Sequence, residues 1–195
     1  TDIGVFEGTT YIYTNSMPVG GENITNDIAL VLNIEKEEAD KLKRQYGLAL
    51  KSFIDNDNDI ILNTCKDNNK NKIIKSSELI EIIEARIEDM FLIINKDLTN
   101  QGIKSRINNV ILTGQGIVNI SKSDVAGKIN LNIPVKISTG RLIGTTKPTY
   151  RTAYALVRYI ASRPFTKTVS SSIDTKSNEN IFKNIFEKIK EFFYS

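Results

Sequence analysis

The strongest constraint on the fold lies in residues 76–100, SSELIEIIEARIEDMFLIINKDLTN. Leu79, Ile80, Ile83, Ile87, Met90, Phe91, Ile94 and Leu98 recur there at close to helical spacing. That period lines one face of a long helix with apolar side chains. The stripe has to be covered, so the rest of the chain must supply a surface for it. Ser76 or Ser77 is placed to cap the start of this helix, and Gly102 to end it. A long amphipathic helix among short strand-like runs predicts a mixed α/β domain built in layers.

The surrounding segments fit that class. Residues 1–21 read as strand, turn, strand: Ile3 and Val5 alternate, Gly8 turns the chain, Tyr11 to Tyr13 resume it, and PVGG breaks it. Asn23 or Thr25 is expected to cap a helix reaching about Leu32, and KEEADKLKRQYG a second one stopped by Gly47. The run DNDNDIILNTCKDNNKNKIIK predicts a small sheet with polar turns. Asp55, Asp57 and Asp59 have the spacing of a calcium loop, but Ile60 stands where such a loop needs Gly and Lys66 where it needs Glu. These aspartates read as turn formers. NNVILT predicts a short buried strand that runs into Gly114-Gln115-Gly116, with a short helix from about Ser121. A strand at IPVKIS and a helix from Tyr150 to Ser162 follow.

Composition removes several chemistries. The 195 residues contain no His, no Trp and a single Cys, Cys65. Without His there is no Ser-His-Asp or Cys-His catalysis and no imidazole metal ligand. A lone Cys forms no internal disulfide, which fits a reducing compartment. No apolar run approaches the roughly 20 residues of a membrane-spanning helix. Net charge is only +3, but its distribution is uneven. From Val125 to Ile173 there is no acid, while Lys128, Lys136, Arg141, Lys147, Arg151, Arg158, Arg163 and Lys167 fall there. Such a stretch attracts phosphates, an anionic membrane or an acidic peptide, or is a solvated basic surface.

The C-terminal residues carry a different signal. TKTVSSSIDTKSN (166–178) is Ser/Thr-rich and reads as a flexible tether. In NIFKNIFEKIKEFFYS the apolar residues Ile181, Phe182, Ile185, Phe186, Ile189, Phe192 and Phe193 share one helical face. Lysines and glutamates occupy the other side. Two readings compete: a helix docked on protein, or one lying in a bilayer surface. The spacer favours the bilayer, because a docked helix needs no long tether. With three Lys against three Glu from Asn178 onward, binding would rest on apolar insertion.

Five segments in order carry a resemblance: SMPVGGENITNDIA (16–29), EEADKLKRQYG (37–47), ELIEIIEARIEDMF (78–91), VILTGQG (110–116) and PTYRTAYALVRY (148–159). Together with the tether and terminal helix they resemble the FtsA family of bacterial cell-division proteins, within the actin-like ATPase superfamily. The resemblance covers nearly the whole chain. It implies an actin-like, ribonuclease H-like half. Residues 1–22 and 108–165 would form its core subdomain, 23–107 an inserted smaller subdomain, 166–178 the tether and 179–195 the membrane-targeting helix. The distance to Pro18 aligns Thr1-Asp2 with the end of the family's phosphate hairpin. TDIGVFEGTT is then the strand after that loop, and the chain corresponds to the C-terminal half.

Function is implied on the same basis. The family tethers FtsZ filaments to the cytoplasmic face of the cell membrane at the division site, through an actin-like body that binds ATP with Mg and polymerises. This chain would offer the adenosine side of the cleft. Gly114, Gln115 and Gly116 would approach the nucleotide, with Thr1 at the edge of the phosphate hairpin. Gln115 stands where Gly is commoner. Asp40 and Lys43, three apart on one helix face, with Arg44 beside them, would meet the ribose and base. No residue here resembles a general base for hydrolysis, so the chain is not read as an enzyme in itself, and the parent as at most a weak ATPase. The implied partners are the C-terminal peptide of FtsZ, with Arg86 and Lys96 as candidate contacts, further copies in a filament, and the bilayer surface; no nucleic acid is implied. The rivals are a chaperone-like ATPase, a pilus or shape-filament scaffold of the same superfamily, or a non-functional piece lacking half the cleft.

Overall fold

A computed structural model describes residues 1–62, 72–138 and 150–162. The tether, the terminal helix with its seven apolar residues, and Cys65 lie outside the described residues. Contacts divide the chain into a unit of residues 1–155 and a second of residues 156–195. Of the second, only the end of one helix is described.

Strand β1 (Asp2–Glu7) pairs antiparallel with β2 (Thr10–Ser16), and Gly8 makes the turn between them. Helix α1 (Gly21–Leu32) follows PVGG, and α2 (Lys36–Tyr46) follows α1. Strands β3 (Asp59–Leu62) and β4 (Lys72–Lys75) form a second antiparallel pair that feeds α3 (Ser76–Asn100). Strand β5 (Val110–Leu112) leads to the short α4 (Gln115–Val118) and then α5 (Ser123–Leu131). The chain returns as β6 (Val135–Ile137), parallel to β5. Helix α6 spans Arg151–Ser162. The mixed α/β class is as expected.

The stripe on α3 is buried where the period puts it: Leu79, Ile80, Ile83, Ile87, Met90, Phe91 and Leu98 are covered, and Ile94 partly so. Its cover comes from Ile24, Ile28 and Leu32 of α1, Ile60, Leu62 and Ile74 of β3 and β4, and Ala126 and Leu131 of α5, all in one apolar cluster. Burial of such side chains contributes roughly 1.5–3 kcal/mol each before chain entropy is counted.

Two helix starts differ from the sequence reading, and one short helix is additional to it. The N-cap of α1 is Gly20, not Asn23 or Thr25. Asn23 sits in the first turn, and its side-chain oxygen accepts the Gly20 N–H at 2.8 Å. The cap of α3 comes from a distance. One Asp57 oxygen accepts the Ser77 N–H at 2.9 Å and the Ser76 hydroxyl at 3.0 Å; the other accepts the Ser77 hydroxyl at 2.9 Å. Ser76 and Ser77 therefore donate to a cap rather than form it. The helix expected from about Ser121 is α5, which begins at Ser123; a further short helix, α4, which the sequence reading did not contain, begins at Gln115 directly after the turn that follows β5. Gly114 permits this with φ of 99°, a region that costs other residues strain.

Candidate nucleotide cleft

Three helices meet around a cleft of about 620 Å³. Its walls are the start of α1 (Gly21, Glu22, Thr25), one face of α2 (Lys36, Glu37, Asp40, Lys43, Arg44) and α4 with the residues after it (Gln115, Gly116, Asn119, Ile120). Asp40, Lys43 and Arg44 line it because one helical turn separates them. The loop after α2 keeps that helix beside α4. Ser121 donates its N–H to the Gly47 carbonyl at 3.0 Å, and Ala49 donates to the Ser121 carbonyl at 2.9 Å.

The walls touch at two glycines. A Cβ built on Gly21 would lie 2.5 Å from the Cα of Gly116. Backbone can approach backbone here only because both residues lack a side chain.

Lys43 knits the α1 and α2 walls together. Its Nζ donates to the Gly21 carbonyl at 3.1 Å and to the Thr25 hydroxyl at 2.5 Å, and meets Asp40 Oδ1 at 2.8 Å. Arg44 Nε donates to the other oxygen of Asp40 at 2.7 Å. The Lys43 hydrogen bond holds the Asp40 carboxyl below its ordinary range; Arg44 adds to this, and partial burial opposes it. At the mouth, Lys36 donates to Glu22 and lowers its carboxyl likewise.

Of the residues singled out in the sequence, Asp40, Lys43, Arg44, Gln115 and Gly116 line this cleft. Gly114 shapes the turn ahead of it without lining it. Thr1 is not among the lining residues either; its hydroxyl donates to the Val19 carbonyl at 2.5 Å, beside Gly20. Sequence reasoning missed Gly21, Glu22, Thr25, Lys36, Glu37, Asn119 and Ile120 as lining residues. Gly21 was read as part of the PVGG break and Thr25 as a possible cap, so their four-residue spacing on one helix face became visible only with the helix start at Gly21.

Arg86 and Lys96 are not brought together. Ten residues along α3 set them about 15 Å apart in rise. Arg86 forms a forked pair with Asp27 of α1, one arm at 2.9 Å, whereas Lys96 is exposed.

The architecture has known counterparts. MreB5 of Spiroplasma citri bound to ADP superposes with a TM-score of 0.62 at 18% identity, over 83% of this chain and 52% of that one. The same protein bound to AMPPNP gives 0.60 at 16% identity, over 82% and 51%. The fold is therefore actin-like. Sequence narrows the class further: residues 1–155 match the family model described as "Cell division protein FtsA". The chain belongs to the FtsA family.

Named relatives agree. Cell division protein FtsA of Bacillus subtilis (strain 168) is 31% identical over 159 residues, 82% of this chain and 36% of its own length. That of Buchnera aphidicola subsp. Baizongia pistaciae (strain Bp) is 31% identical over 201 residues, 97% of this chain and 47% of its own length. That of Escherichia coli (strain K12) is 25% identical over 171 residues, 81% and 40%. The chain thus spans between a third and a half of the length of these relatives.

Proposed function

We propose that this chain supplies the nucleoside-binding side of an ATP cleft in an actin-like cell-division protein, and that its terminal helix holds that protein against the membrane. The observation that carries the first part is the convergence of Asp40, Lys43 and Arg44 with Gln115 and Gly116 on one cleft. Its charged lining balances: Glu22, Glu37 and Asp40 are matched by Lys36, Lys43 and Arg44. A balanced cleft suits the uncharged ribose and base better than a polyphosphate. A carboxylate such as Asp40 accepts ribose hydroxyl protons, and a basic side chain packs over a flat base. The bound ADP of the Spiroplasma protein supports the same reading. Among the described residues no group of three acidic or Cys side chains is placed for a metal. Magnesium would enter with the phosphates, which this side of the cleft does not hold. The acidic groups for any hydrolysis would come mostly from the other half of such a cleft.

Titration of the chain with a fluorescent ADP analogue tests the cleft. Saturable binding that is lost in Asp40→Ala supports it; binding unaffected by that change sinks it.

The second part rests on the spacing of Ile181, Phe182, Ile185, Phe186, Ile189, Phe192 and Phe193 behind a Ser/Thr-rich spacer. One such helix holds weakly, and polymerisation would add avidity. The actin-like body would bind the FtsZ C-terminal peptide and so link its filaments to the membrane at the division site. Lys96 is the more available of the two candidate peptide contacts, since Arg86 is committed to Asp27. Liposome flotation of the chain against a version ending at Ser177 decides the anchor. Flotation lost on truncation, with little salt dependence, is expected. Salt-released flotation of both versions would move the anchor to the basic stretch.

A further inference from the structure

Two adjacent basic residues line the cleft, and their surroundings differ sharply. We propose that Lys43 is a positioning residue that holds the cleft walls together, and that Arg44 is the cation that meets the ligand. The Arg44 half rests on the nucleoside reading above.

An ammonium has three N–H donors and no acceptor. Lys43 reaches three protein acceptors: the Gly21 carbonyl, the Thr25 hydroxyl and Asp40 Oδ1. Its side chain is only 12% exposed. A ligand could bind this ammonium only by displacing one of those partners, two of which lie on α1. The neighbouring Arg44 side chain is 63% exposed. Its bond to Asp40 uses Nε, one of five donors, and fixes the fork without exhausting it. A planar guanidinium stacks on a flat ring; an ammonium does not.

The position of Lys43 explains what it holds. Gly21 is the first residue of α1, and it is also the residue that meets Gly116 of α4. The ammonium therefore fixes the carbonyl of the residue that forms the glycine joint. Thr25, 3% exposed, lies one turn further along α1, and its hydroxyl also faces the Gly21 carbonyl at 3.2 Å. Loss of the ammonium would take a donor from the buried Thr25 hydroxyl and from the half-buried Gly21 carbonyl, at the place where the walls touch. The cleft would loosen before any ligand arrived.

The test separates the two roles without presupposing that ligand binds. Amide hydrogen exchange is followed on the ligand-free chain for Lys43→Met and Arg44→Ala. Lys43→Met is expected to speed exchange at least about tenfold in Gly21–Thr25 and Gln115–Val118, a loss of local opening free energy of about 1.4 kcal/mol. Arg44→Ala is expected to leave exchange unchanged but weaken binding of a fluorescent ADP analogue several-fold. Arg44→Lys, which keeps charge and loses the plane, recovers only part of it. Unchanged exchange in Lys43→Met overturns the positioning role, as does equal acceleration by Arg44→Ala. Should Lys43→Met fail to fold, Thr25→Val removes a single acceptor and must still raise exchange in the same two segments. A wild-type chain that binds no nucleotide analogue overturns the Arg44 half and the nucleoside reading together, while exchange alone decides Lys43.

Discussion

Helix α1 has two faces, and they are built on different principles. Toward α3 it presents Ile24, Ile28 and Leu32, all buried in one apolar cluster. Toward the cleft it presents Gly21 and Thr25, held by a lysine from the next helix. The first contact is non-directional and spread over many atoms, so it tolerates small shifts. The second depends on a few oriented hydrogen bonds and on two residues having no side chain. Stability comes from the first face and geometry from the second.

Core truncation should have the largest effect. Ile83, fully covered on α3, becomes a cavity in Ile83→Ala, and urea unfolding is expected to show a loss of about 2–5 kcal/mol. A loss well under that range would mean that the apolar face is looser than its packing implies. Next comes the joint. Gly21→Ala places a methyl against Gly116 and should cost about 1–3 kcal/mol, with the shift concentrated in the amide resonances of α1 and α4. If chemical shifts move instead across α3, the two faces are not separable.

A pH effect should follow from the cap of α3. The Ser77 N–H bond, with help from the two hydroxyls, lowers the Asp57 carboxyl below its ordinary value. Its contribution is therefore complete above the unfolded value of about 3.9 and declines as pH falls through the lower folded one. Asp57→Asn should lower the melting temperature at neutral pH and flatten part of the acid limb. An unchanged acid limb would show that the cap contributes little. The smallest effect is expected on the open side of the β3–β4 pair. Ile61 and Ile73 face each other across the strands and are 56% and 62% exposed. Ile61→Thr should stay within about 0.5 kcal/mol of the parent. A larger loss would reveal cover on that side.

The same contrast explains what could be read from the sequence. Burial on α3 has a period, so its stripe was visible residue by residue. The strand pairs were visible through alternation and turn residues. Caps were only half visible. The hydroxyls of Ser76 and Ser77 signalled a helix start, but the acceptor is Asp57, nineteen residues from Ser76. Helix α4 was missed because four residues carry no period. The cleft was legible only through family resemblance. Lys43 meets Thr25 and Gly21 across 18 and 22 residues, and no local pattern records such a pairing. Spacing alone gave Asp40 and Lys43 one face; it could not show that Lys43 turns its donors inward.

The distant cap of α3 has a consequence for the order in which the chain assembles. A helix start capped by its own serines could form early and alone. Here the capping carboxylate stands two residues before β3, and β3 joins its partner strand immediately ahead of the helix. The pairing of β3 with β4 is what sets Asp57 beside the first turn of α3. Glu78 accepts the Lys75 N–H locally, but the Ser77 N–H waits on strand pairing, so its hydrogen exchange is expected to follow that of the β3–β4 pair.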